Sequence, residues 1–130
     1  MFSDIFQIKQ RYGTIAITQD KIQKGKKMKL YIIRHGETSW NKQKKLQGQR
    51  DIMLNDAGIR LAELTGEGMK DIDFDLVISS PLIRAKQTAE LVMAGRHLPM
   101  ITDRRIIRTG QLIINHLPPT SDNIYVQIKV

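Results

Sequence analysis

Arg34, His35 and Gly36 stand together directly after the apolar run Leu30-Tyr31-Ile32-Ile33. Histidine is a nitrogen nucleophile that titrates near neutral pH. The forked donors of arginine suit phosphate. Glycine lets the backbone turn sharply and lets an anion approach closely. A second arginine, Arg84, follows Ser79-Ser80-Pro81, where a helix would begin. Helix N-termini favour anions through their free N–H groups and dipole. Two arginines and a histidine around one phosphate suit in-line transfer to nitrogen: the arginines hold the equatorial oxygens while His35 attacks. Singly these residues mean little, because Arg-His-Gly is a common tripeptide and a helical arginine is usually a solvated surface residue. If the two strands bearing them neighbour one another, the three residues would make one phosphate pocket.

The elements that would position them read as follows. Leu30–Ile33 is a short continuous apolar run, the pattern of a strand buried on both faces in a parallel sheet. Its carboxyl end is where open α/β sheets bind ligands. Ser39 to Arg50 forms a polar connection. Asn55 is a candidate N-cap, followed by Gly58, Leu61, Ala62, Thr65 and Met69 on one helical side with Leu54. Asp75–Ser80 is a second apolar run closed by small polar residues. Ser80-Pro81 predicts an N-cap and first helical position, with Leu82, Ala85, Ala89 and Val92 facing the sheet until about Met93. Met100-Ile101-Thr102 is a third strand. Strand, helix, strand, helix, strand is a parallel α/β pattern with right-handed crossovers.

Composition bounds the possibilities. The chain has 130 residues, room for one domain with a modest core, and no cysteine, so neither disulfides nor thiolate metal sites form. A reducing, cytoplasmic setting is expected. No apolar stretch is long enough to span a bilayer, and no membrane role is read. The formal charge of +8 raises the possibility of nucleic acid. Six Lys/Arg against two Asp in residues 1–27 account for half of it, basic and acidic residues interleave over most of the rest, and seven aromatics offer little base stacking. A basic nucleic-acid-binding protein is therefore the disfavoured class, and the sequence sets no oligomeric state. Residues 1–27 read as an N-terminal arm, disordered or loosely docked, with a short strand conceivable at Thr14–Ile17. Lys24-Gly25-Lys26-Lys27 before Met28 fits a purine-rich translation signal read as protein, so Met28 is expected as the native start.

Arg34-His35-Gly36-Glu37-Thr38-Ser39-Trp40-Asn41, then Leu46-Gln47-Gly48, then Leu54-Asn55 with Gly58, then Ser79-Ser80-Pro81-Leu82-Ile83-Arg84-Ala85 with Thr88 resemble the histidine phosphatase superfamily. That superfamily includes cofactor-dependent phosphoglycerate mutases and small phosphomonoesterases such as α-ribazole phosphatases. The resemblance covers residues 28–107. It implies an α/β, phosphoglycerate mutase-like fold: a three-layer parallel sheet with helices on both faces. It further implies His35 as the catalytic residue phosphorylated in the intermediate and Arg34 and Arg84 as phosphate ligands. Asn41, Gln47 and Gly48 would line the substrate pocket. No metal or organic cofactor is implied, and the partner would be a small phosphorylated metabolite. Lys86-Gln87-Thr88 tips the reading toward a hydrolase over a mutase.

The departures are as specific as the match. After its third strand the family carries Arg-Ile-Ile-Glu, the glutamate being the general acid; here Arg105-Ile106-Ile107 is followed by Arg108. Arginine has no proton to give at neutral pH. A second histidine, usually followed by glycine, comes from a much later strand in the family. His116 ends an apolar run but is followed by Leu117-Pro118-Pro119, and His97 reads as a surface loop residue. The expectation is a C-terminally truncated family domain, broken after Ile107 by a frame shift or a disrupted gene, with 108–130 a non-family tail. Tyr125–Val130 alternates like a strand that would cover part of the exposed sheet edge. Turnover is expected to be impaired or absent, since a general acid is worth ~10²–10⁴ in rate and a charge-stabilising donor ~10²–10³. The competing readings are a non-catalytic phosphate-binding remnant and a mutase-type phosphotransferase.

Overall fold

The computed structural model describes residues 16–23, 26–104, 106 and 124–129. Eight elements follow in chain order: β1 (Ala16–Gln23), β2 (Lys26–Arg34), α1 (Ser39–Lys42), α2 (Asp56–Gly68), β3 (Leu76–Ser79), α3 (Ile83–Val92), β4 (Met100–Thr102) and β5 (Ile124–Lys129). They build one sheet in the order β1-β2-β5-β3-β4.

The sheet differs from the expected one in three respects. First, β1 pairs antiparallel with β2 from Ala16–Ile33 to Gln23–Lys26, so part of the expected arm is an edge strand. Its polar residues Thr18, Gln19, Asp20, Lys21 and Gln23 concealed it, and an edge tolerates such residues. The rest of the arm lies outside the described residues (1–15 and 24–25) or in the start of β2 (26–27). Second, β2 and β3 are not neighbours. β5 runs parallel between them, pairing Lys29–Ile124 through Arg34–Lys129 on one side and Leu76–Tyr125 through Ser79–Ile128 on the other. The segment expected to cover an edge thus joins the centre and supplies ladder partners to both flanking strands. Third, both long described helices lie on one face. Tyr31, Ile33 and Val77 meet Ala62 and Met69 of the α2 region and Ala85, Ala89 and Val92 of α3 in a single cluster. On the opposite face Ile78 packs with Ile106 and Leu76.

The sheet is otherwise parallel, with β3 beside β4. Within the cluster, the Tyr31 and Phe74 rings meet edge to face at 5.3 Å, the arrangement their quadrupoles prefer. Arg96 covers Phe74 and donates to the carbonyls of Met69 and Ile72, tying the exit of α2 to the sheet.

Asn55 caps α2 as expected, its Oδ1 accepting from Gly58 N at 2.8 Å. Ser80 does not cap α3: the helix begins at Ile83, two residues later than Ser-Pro suggested, and Leu82 at the N-cap supplies no side-chain bond. Ser80 Oγ instead accepts from Leu82 N.

Gly58 sets how closely α2 approaches the end of β2. A Cβ there would lie 2.2 Å from the Glu37 carbonyl oxygen and 2.7 Å from its nitrogen. Both are backbone atoms, so nothing flexible can yield. Gly58→Ala is expected to lower stability by about 1–3 kcal/mol despite alanine's better helix propensity, as overpacking does. Urea denaturation would measure it, and a variant as stable as the parent would contradict the close approach.

Candidate functional site

The site forms where β2 ends. Arg34, the last strand residue, is exposed; His35 beside it is 8% exposed. The loop that follows is fastened at each step. Gly36 N–H donates to Thr88 Oγ1 at 2.9 Å, and Thr88 Oγ1 donates in turn to the Arg84 carbonyl at 2.7 Å. Asn55 N donates to the Glu37 carbonyl at 3.0 Å, and Asn55 Nδ2 to Glu37 Oε1 at 2.7 Å. Thr38 bridges to Leu54 and caps α1 in a reciprocal box with Asn41. His35 is therefore held between α2 and α3 by its neighbours' backbone.

The tautomer of His35 follows from one contact. His35 Nδ1 lies 2.7 Å from the Gly36 carbonyl oxygen. A carbonyl only accepts, so Nδ1 carries the proton and the Nε2 lone pair is bare. Burial pushes the imidazole pKa below its ordinary 6.5; the Gly36 bond opposes this, while the charges of Arg84 and Arg34 push it further down. The result at neutral pH is an uncharged ring with its nucleophilic nitrogen free, in the field of two guanidinium groups.

A cleft of about 400 Å³ opens here, with Arg34, His35, Glu37 and Asn41 on the loop side and Leu61 and Thr65 from α2 on the other. Of the expected site residues, Arg34, His35 and Asn41 line this cleft, whereas Gln47, Gly48 and Arg84 are not among its lining residues. Asn41 is committed to the loop as well, Oδ1 accepting from Thr38 N at 2.9 Å. Gln47 is tied to Thr38, whose hydroxyl donates to its Oε1 at 2.7 Å. Gly48 sits at φ +52, a left-handed backbone that suits glycine. Its carbonyl accepts from Arg84 Nη2 at 2.8 Å, and that of Arg50 from Nη1 at 2.7 Å.

Arg84 is 1% exposed, not the solvated residue a helical arginine usually is. Two of its nitrogens are spent on the loop, and Nε is buried without a hydrogen-bond partner among the described residues. A buried donor left unmade costs about 1–3 kcal/mol and marks a place for an acceptor. The start of α3, expected to be open for an anion, is occupied: Asp51 Oδ1 accepts from Ile83 N at 2.6 Å. Asp51 and Arg50 carried no signal in the sequence, because neither belongs to a periodic element. Thr88 stood in the motif, but only the fold shows that it anchors Gly36.

The Arg50 guanidinium lies over the Trp40 ring at 5.4 Å from its centroid, and the Lys45 ammonium at 5.7 Å. His97 is exposed, as expected. Arg108 and His116 lie outside the described residues. Among the described residues, no group of three His, Cys, Asp or Glu could hold a metal ion, and no helix is long and apolar enough to cross a membrane. A neutral imidazole with a free Nε2 among guanidinium groups is equipped to attack an electrophile that carries negative charge, and a phosphoryl group is one.

The comparisons with known proteins point to one family. The profile of the histidine phosphatase superfamily (branch 1) matches residues 30–108, more than half of the chain. The "Uncharacterized phosphatase PhoE" of Bacillus subtilis is 51% identical over 70 residues, covering 54% of this chain and 36% of that protein. The "Probable phosphoglycerate mutase GpmB" of Yersinia pestis is 35% identical over 91 residues, covering 70% of this chain and 42% of that one. Among solved structures, the α-ribazole phosphatase from Shigella flexneri superposes with a TM-score of 0.58 at 38% identity, covering 59% of this chain and 38% of that chain. The chain thus spans about two fifths of the length of the curated relatives it matches. With its profile match, its motif blocks in order and its fold in common, the chain belongs to the histidine phosphatase superfamily, branch 1.

Proposed function

We propose that the chain is a phosphomonoesterase acting through a phosphohistidine on a small phosphorylated metabolite. The observation that carries the reading is the bond from His35 Nδ1–H to the Gly36 carbonyl, which leaves Nε2 free beside two arginines. In the first step the Nε2 lone pair forms the N–P bond as the P–O ester bond breaks. The leaving oxygen takes a proton from water. The imidazole then carries positive charge, and its Nδ1–H remains bonded to the Gly36 carbonyl, a stronger, charge-assisted bond than in the neutral ring. In the second step water attacks phosphorus, the N–P bond breaks, one water proton passes to solvent, and neutral His35 is restored.

Arg34 and the free Nε–H of Arg84 would hold the phosphoryl oxygens. The names of the relatives, a phosphatase, a phosphoglycerate mutase and an α-ribazole phosphatase, support a small phosphorylated substrate. Arg108 in place of the expected glutamate supports impaired turnover wherever the leaving group needs a proton. Good leaving groups should therefore be hydrolysed first.

Turnover of p-nitrophenyl phosphate tests this. His35→Ala is expected to abolish it, and equal turnover by that variant would remove His35 from the chemistry. If inorganic phosphate protects the fold against heat but no ester is turned over, the chain binds phosphate without catalysis.

The pH dependence has a definite sign. Only neutral His35 attacks, and its pKa lies below 6.5 in the folded chain. The value of kcat/KM is expected to stay level through neutral pH and to fall on acidification with a midpoint below 6.5. A midpoint above 6.5 would mean that the ring is stabilised as the cation, contrary to this environment.

A further inference from the structure

The first turn of α3 presents a capping problem that its own sequence does not solve. Leu82 at the N-cap offers no side-chain acceptor, and the turn contains no acidic residue. The positive end of the helix and its free N–H groups would otherwise be unmet. Asp51, from the loop between α1 and α2, fills the gap with the 2.6 Å bond from Ile83 N. The same stretch of loop presents the carbonyls of Gly48 and Arg50 to the two terminal nitrogens of Arg84. Ile83 and Arg84 are adjacent, so the loop grips one turn of helix at two points: its backbone through Asp51 and its guanidinium through the carbonyls. Those carbonyls leave Nε as a buried donor without a partner among the described residues.

We propose that Asp51 is a positioning residue for Arg84. By fixing residues 48–51 to the start of α3, it holds the terminal nitrogens of Arg84 on the loop carbonyls and so keeps the buried Nε–H unpaired for a phosphoryl oxygen. The carboxylate also occupies the helix terminus, so that the substrate anion is directed to the arginine. The inference rests on the proposed phosphate-binding role of Arg84. The Asp51 charge, which supports the protonated guanidinium against its burial, acts in the same direction.

The test uses the full chain with inorganic phosphate as probe, reading affinity by calorimetric titration and the Arg84 Nε–H resonance by ¹⁵N NMR. Asp51→Ala is expected to weaken phosphate binding about tenfold, the worth of one charge-assisted bond, and to speed exchange of the Arg84 Nε–H with water. Asp51→Asn keeps an acceptor at the same place and should restore affinity to within about threefold of the parent. Unchanged affinity and unchanged Nε–H exchange in Asp51→Ala would overturn the proposal, even if that variant melts earlier. Should Asp51→Ala not fold, Asp51→Glu keeps the charge but displaces the acceptor by one methylene; affinity equal to the parent's would overturn the proposal equally. Arg84→Ala separates the two claims. If it binds phosphate like the parent, the phosphate site at Arg84 falls and the inference with it. If it loses binding while Asp51→Ala does not, the inference alone falls.

Discussion

The backbone of Gly36 is the constraint on which the site depends. Its N–H is held by Thr88 of α3, and its carbonyl accepts the His35 Nδ1 proton. The two backbone groups of this residue, in successive peptide planes, therefore fix where the imidazole sits and which nitrogen carries hydrogen. The residue sits where the chain leaves β2 close against α2, at the point where Gly58 admits the Glu37 backbone. The two helices packed on one face of the sheet, joined to it through Tyr31, Ile33 and Val77, hold both sides of this arrangement.

Around that unit the structure spends its polar groups on order within the loop as much as on the cleft. Arg84 donates twice to backbone carbonyls, Gln47 and Asn41 engage Thr38, and Glu37 engages Asn55. Binding groups that are already held lose little freedom when a ligand arrives, which is the physical advantage of preorganisation. The buried, unpartnered Nε of Arg84 is the complement of that order: a donor kept in place at some expense in stability.

What the sequence disclosed, and what it did not, follows from the range of each interaction. The strand at Leu30–Ile33, the Asn55 cap and the inward faces of both helices depend on residues within a few positions, and all were legible. Gly58 was legible as a motif residue, though the reason for it lies in the distant backbone of Glu37. The placement of β5 was not: alternation marks a strand but does not say whether it will sit at an edge or between two others. β1 was hidden by polar residues that an edge tolerates. Asp51 capping α3 lies 32 residues from its partner, and no local pattern announces such a contact. Arg84 was legible as a candidate ligand, but its hold on the 48–50 carbonyls was not.

The measurement that reaches the centre of this account is the protonation state of His35 at neutral pH, read from the long-range ¹H–¹⁵N correlations of its ring. The account predicts a neutral imidazole with hydrogen on Nδ1 and an unprotonated Nε2. A ring protonated on Nε2, or an imidazolium at pH 7, would contradict it, because no lone pair would then face the cleft.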